Sequence, residues 1–184
     1  MNQKEEKSPM DSVIKHRTEV EKFMENDENS PFHKKGEIPF EGLKYYDIDT
    51  TYKIRAQLTM FPFPKPYTMK MSDGSTQPYM KVAWADFYLK GVPQKVVLLK
   101  MEKFMDENRF FLPFYDETST YETYGGGRFL DIEYTGTTNV DIDFNFAYNP
   151  YCAYNPNYRC PVPPIENHIA EAIEAGERKY KEGH

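Results

Sequence analysis

In the stretch YKIRAQLTMF, Tyr52, Ile54, Ala56, Leu58 and Met60 fall on one side, and Lys53, Arg55, Gln57 and Thr59 on the other. Side chains that change face at every residue can bury one set only as a strand with one wet face. The period returns in Tyr67, Met69 and Met71, then over Tyr79 to Leu89, Lys95 to Met101, Arg109 to Tyr115, Gly127 to Tyr134 and Asn139 to Asn145. Pro62, Pro64 and Pro66 are read as ending the first strand, and SDGS as the turn after the second. Connections as short as LKGVP and TGTT suit antiparallel neighbours, because a parallel crossover needs about a dozen residues or more.

The ends of the chain break this period. After a polar tail over 1–7, Ser8-Pro9 is an N-cap followed by proline at the first helical position, and Met10, Val13, Ile14, Val20, Phe23 and Met24 recur at helical spacing. This predicts a helix over 8–26 that stops in ENDENSP. Pro163 and Pro164 are read as opening a second helix over 165–181, with Ile165, Ile169, Ile173 and Tyr180 as its buried stripe. A Pro- and Tyr-rich connector spans 147–164, with Asn149-Pro150 and Asn155-Pro156 stiffening a loop of tyrosines.

At 184 residues the chain suits one domain, here 8–184, rather than two. The expected fold is mainly β (a β-rich α+β class): an antiparallel meander of seven or eight strands over 44–146, curled into a barrel-like roll or sandwich, with a helix at each end. Aromatics at 16% suit pleated, half-buried surfaces. A net charge of −6 disfavours a nucleic-acid partner, which would want a clustered positive face. No apolar run reaches the roughly 20 residues of a membrane span. The start, MNQKEEKSPMDS, lacks the apolar core of a leader, so the chain reads as cytoplasmic, or periplasmic if a leader has been trimmed.

On VDIDFNF, Val140, Ile142, Phe144 and Phe146 share a face that must be core, while Asp141, Asp143 and Asn145 share the other. Same-face neighbours lie about 7 Å apart, a spacing that hydrolysis by paired carboxylates can use. As a calcium loop the segment fails, with Phe146 where glycine belongs and Cys152 where the closing glutamate belongs. In GGGR, Gly125 to Gly127 lead into a strand, whereas phosphate loops lead into a helix, so a tight turn or bulge is the simpler reading. Arg128 can grip a carboxylate or phosphate with both arms, or pair internally with Asp131, Asp141 or Asp143. Cys152 and Cys160 lack the C-x-x-C pairing of a zinc site and, with His168 near in sequence, an obvious fourth ligand, so no metal is expected; a disulfide would suit an oxidising compartment, and two thiols are the default in a reducing one. No motif calls for a cofactor, and nothing specifies an oligomer.

Together FLPFYDETS (Phe111 to Ser119), ETYGGGRFLDIE (Glu122 to Glu133), DFNFAYNPYCAYN (Asp143 to Asn155), CPVPPIEN (Cys160 to Asn167) and AGE (Ala175 to Glu177) resemble the signature of the domain of unknown function 1684 family, uncharacterised proteins of bacteria and archaea. The resemblance covers most of the C-terminal half and implies no activity. It implies that some relatives carry lipoprotein-type leaders, and that Phe146 replaces a basic residue found in relatives.

Three functions follow. The first is a binding domain for a small polar or anionic molecule at one end of the roll, with Tyr124, Arg128, Asp143, Asn145, Asn149 and Asn167 as ligand-binding candidates. The second is a hydrolase using Asp141 or Asp143 as base and Arg128 against developing charge, with Glu122 and Tyr124 auxiliary. The third is a structural or interaction module. No Ser-His or Cys-His pairing supports covalent catalysis.

Overall fold

The structure is a computed structural model that describes residues 8–105 and 108–181; the tail over 1–7 lies outside them. Six strands form one antiparallel sheet in the order β5-β4-β3-β2-β1-β6: β1 (Lys53–Lys70), β2 (Thr76–Leu89), β3 (Val92–Met101), β4 (Arg109–Asp116), β5 (Arg128–Glu133) and β6 (Asn139–Asp143). The sheet curls into a nearly closed barrel, leaving β5 and β6 beside each other without a ladder between them.

Alternation holds the barrel together. Ile54, Ala56 and Leu58 of β1, Val96 and Leu98 of β3, Phe110, Leu112 and Phe114 of β4, and Leu130 and Ile132 of β5 fill the interior. The intervening positions of the middle strands build a second, outer cluster of Met69, Met71, Tyr79, Val97 and Leu99, edged by Phe111 and Met101. Strands apolar on both faces need cover on both, and the connector supplies part of it by bridging Pro161 to Met71.

The first helix, α1 (Pro9–Asn26), begins with a capping box in which Ser8 and Asp11 satisfy each other's backbone N–H groups. Its Met24 packs with Phe32, Tyr154 and Tyr180 in a third cluster beside the barrel. Among the described residues no helix is long and apolar enough to cross a membrane.

Three expectations need correction. The prolines do not end β1: the register skips from Met60↔Ala83 to Lys65↔Lys81, so Pro62 and Pro64 sit in a bulge where no ladder N–H is missed. The last strand stops at Asp143 instead of Asn145, because the Asp143 side chain accepts the N–H of Asn145 and caps a 3-10 turn over Phe144–Phe146. Asn145 is thereby buried instead of sharing an outer face with Asp141.

The largest correction is the C-terminal helix over 165–181, which does not form. Pro163 and Pro164 lead into one 3-10 turn (Ile165–Asn167) and a short strand, β7 (His168–Ile169), parallel to the end of β4. The chain then runs on without helix: Tyr46 N–H donates to Gly176 O, Glu177 N–H to Ala147 O, and Arg178 N–H to Lys44 O. Ile169 and Ile173 are buried as the stripe requires, but beside Ala175 and Glu177, and Ile165 is exposed. The even spacing that marks a helical stripe also serves an extended segment. Gly176 adopts φ +77°, and a Cβ there would meet Phe144 O and Ala147 O at 2.7 and 2.6 Å, so only glycine lets the tail lie this close.

Candidate functional site

Arg128 opens β5 facing the barrel interior, fully buried. One terminal nitrogen donates to Asp116 Oδ2 at 2.9 Å and Ile173 O at 2.8 Å; the other donates to Ala175 O and to Glu177 O, the latter at 3.1 Å. Asp116, at the end of β4, also accepts from Thr118 N, Thr118 Oγ1 and Ile173 N. Alternate carbonyls of an extended tail thus converge on one guanidinium, which a helix using those carbonyls internally could not offer. Arg128 pairs with Asp116, not with Asp131, Asp141 or Asp143. Its flat fork matches the array, and Gly127 (φ +85°) lets the turn approach Phe114 O and Pro163 closely enough to seat it.

The other sequence candidates are similarly engaged and do not converge on one site. Asn167 is buried, accepting from Val97 N and donating to Val97 O and Pro113 O, so it locks the 3-10 turn onto β3 and β4. Asn145 donates to Asp49 O and Asp143 Oδ1. Asn149 donates through its side chain to Arg178 O and through its backbone to Glu177 Oε2. Tyr124 O–H lies 3.7 Å from Cys152 Sγ. Asp141 pairs with Arg55 at 2.8 Å, both well exposed, and Glu122 accepts from Tyr46 O–H. Asp141 and Asp143 line an open cleft of about 470 Å³ at the β5/β6 seam, with Lys53, Arg55, Asp131 and Glu133.

A different cleft, also about 470 Å³, lies against β3, β4 and β5 where the connector crosses them. Its walls include Tyr79, Phe111, Phe129, Tyr148 and Pro161, and Arg109 and Asp131 bring charge to it, while the Lys100 ammonium donates to Met105 O. The rings are ordered edge to face: Phe111 and Phe129 centroids are 4.9 Å apart, and Phe129 meets Tyr148 at 5.9 Å and 90°. Tyr148 exchanges backbone hydrogen bonds with Phe129, and its O–H donates to Asp131 Oδ2 at 3.1 Å. Burial first, then the Asp131 charge, pushes the Tyr148 phenol well above its usual value and that of Tyr79 up to about 12. Both are neutral hydroxyls at physiological pH.

Sequence reasoning missed Asp116 and Arg109, and named Asp131 only as a partner for Arg128. The last two carried a signal: Arg109 shares parity with Phe111, and Asp131 with Phe129, so each strand alternates a ring and a charge on its outer face. The pairings Phe111↔Asp131 and Arg109↔Glu133, which bring the sets together, belong to register, which the sequence leaves open. A smaller cavity of about 210 Å³ under α1 is almost wholly apolar, with Val20, Phe23, Met24 and Phe146 among its walls. Among the described residues no three His, Cys, Asp or Glu side chains gather as metal ligands, and Cys152 and Cys160 are free thiols.

A family model described as protein of unknown function (DUF1684) matches residues 39–178. Among solved structures, the solution NMR structure of an uncharacterized protein of Haloarcula marismortui is similar, with 32% identity, a TM-score of 0.72, and coverage of 93% of this chain and 94% of that one. No curated protein matches.

Proposed function

The chain belongs to the DUF1684 family of unknown function, and from that premise we propose that it is a binding domain for a small molecule with a flat apolar body and an anionic group, taken up between β3, β4, β5 and the connector. The observation that carries this reading is the meeting of four aromatic rings with Arg109 in one cleft of about 470 Å³. Ligand sites fall in this size range and combine mostly apolar walls with a few placed polar groups. The rings supply a slot for the flat body. The Arg109 guanidinium favours the anion, and the Tyr148 and Asp131 pair fixes orientation through hydrogen bonds. This reading places the site away from Arg128, Asn145, Asn149 and Asn167, whose side chains donate to partners within the fold.

The hydrolase alternative has less to draw on, since Asp141 is held by Arg55 and Asp143 caps its own turn. The test is a thermal-shift and ligand-observed NMR comparison of benzoate, phenyl phosphate, inorganic phosphate and benzyl alcohol. The aromatic anions should raise the melting temperature most, and Arg109→Ala should abolish that rise. If none binds, or if Arg109→Ala binds them equally, the reading is wrong.

A further inference from the structure

The connector also holds a pair of sulfurs that the cleft does not use. Cys152 is half-buried in the 3-10 turn Tyr151–Ala153, while Cys160, eight positions on, is buried. The intervening chain folds back so that Cys152 N–H donates to Cys160 Sγ at 3.2 Å. That return is pinned from outside: Cys160 N–H donates to Ser72 Oγ, Ser72 N–H to Cys160 O, and Asn155 holds Pro31 O. The juxtaposition is thus imposed by the β1–β2 turn and the loop before it, not by the thiols themselves.

The surroundings of the two sulfurs differ. Cys152 Sγ accepts from the Tyr124 hydroxyl at 3.7 Å, with the Cys160 thiol and Ser72 as neighbouring donors, and an anionic sulfur gains most from such groups. The Cys160 thiol first, and then Tyr124 and Ser72, outweigh burial and bring the Cys152 thiol down to about 7. Donating to Cys152, and buried, Cys160 is pushed up and keeps its proton. Tyr124, facing Cys152, is itself raised above its ordinary value by burial, so it stays a neutral donor.

We propose that Cys152 and Cys160 are a redox-active dithiol site, with Cys152 attacking small hydroperoxides and Cys160 resolving the product into an intramolecular disulfide. The Cys152 thiolate forms a bond to one peroxide oxygen and the O–O bond breaks. Its electron pair leaves on the second oxygen, which takes a proton from solvent, and Cys152 becomes a sulfenic acid. The Cys160 sulfur then attacks the sulfenic sulfur, the S–O bond breaks, and the departing hydroxyl leaves as water with the Cys160 proton. Two exchanges with a small thiol reverse the oxidation and leave that thiol as its disulfide. The site stands apart from the binding reading and needs no ligand in the cleft.

The chain has only these two cysteines, so assignment is direct. Reduced full-length protein is exposed at neutral pH to one equivalent of hydrogen peroxide and followed by intact mass, peptide mapping and dimedone trapping. Wild type should lose two hydrogens and both free thiols, Cys160→Ser should trap one dimedone on Cys152, and Cys152→Ser should stay unmodified. Unoxidised wild type, or equal reactivity of the two variants, overturns the proposal. Wild type alone gives a second readout that survives a variant failing to fold. Iodoacetamide should label Cys152 more than about tenfold faster than Cys160, with a midpoint near 7. Faster labelling of Cys160, or a Cys152 midpoint at the ordinary 9, overturns it too.

Discussion

Arg109 and Arg128 stand at opposite ends of one ladder. Arg109 opens β4 opposite Glu133, and Arg128 opens β5 opposite Phe114, so the same two strands carry both guanidinium groups. Arg128 faces inward, and three carbonyls of the tail together with Asp116 of β4 surround it until it has no exposure. Arg109 is exposed and borders a cleft of rings. Residue type does not separate the two fates. Parity on the strand does, together with whether another segment of chain crosses that face. The closed end fastens the fold, and the open end offers the chemistry a ligand can use.

Variants can break this contrast from its strongest side. Arg128→Leu strands the Asp116 carboxylate and three carbonyls in the interior and should cost about 3–5 kcal/mol, seen as a lower denaturant midpoint with loss of hydrogen-exchange protection along 173–178. Arg128→Lys should rescue little, because an ammonium cannot span the fork.

Glu177 supplies the next effect. It is buried behind Arg128, and desolvation raises its carboxyl from 4.5 to about 7 despite hydrogen bonds from Tyr154 and Asn149. Between those two values the folded chain holds a proton that the unfolded chain has released. Stability therefore falls as pH rises through that window and levels off above it, by about 3 kcal/mol in total. Glu177→Gln, which keeps an acceptor for Tyr154, should flatten that slope in urea melts taken across the window.

Gly176→Ala should cost about 1–3 kcal/mol through its positive φ and the clash with two carbonyls, read as a drop in melting temperature. At the open end the effect on stability should be smallest. Arg109→Ala should cost about 0.5–1 kcal/mol, the scale of an exposed polar contact, while removing ligand binding. A large loss of stability there would erase the distinction between the two ends.

The sheet was legible because alternation is a local property: Ile54, Ala56 and Leu58 reveal their face wherever the strand goes. The tail was not, because Ile165, Ile169 and Ile173 are spaced by four, which fits a helical stripe and an extended chain alike. Continuing the odd parity to Ala175 and Glu177, both buried, would have favoured the extended reading. Arg128 was recognised as a residue needing a partner, but Asp116 was missed because the pair depends on the β4–β5 register, which sets Phe114 opposite Arg128 and Asp116 diagonal to it. The cleft depended on register twice, through Phe111↔Asp131 and through the bridge of Tyr148 to Phe129. The Asn-Pro loop of tyrosines was legible as a stiff connector, but the sequence did not show that it would cross β4 and β5 and set Tyr148 in the wall of the cleft.

Both ends of the ladder report in one spectrum, so amide chemical-shift mapping during titration with phenyl phosphate tests the central claim most directly. Saturable shifts at Arg109, Phe111, Phe129 and Asp131, with Phe114, Arg128 and Asn167 unmoved, are the result predicted. Shifts centred on Arg128 and Asn167 instead, or no saturable shift anywhere, would contradict it.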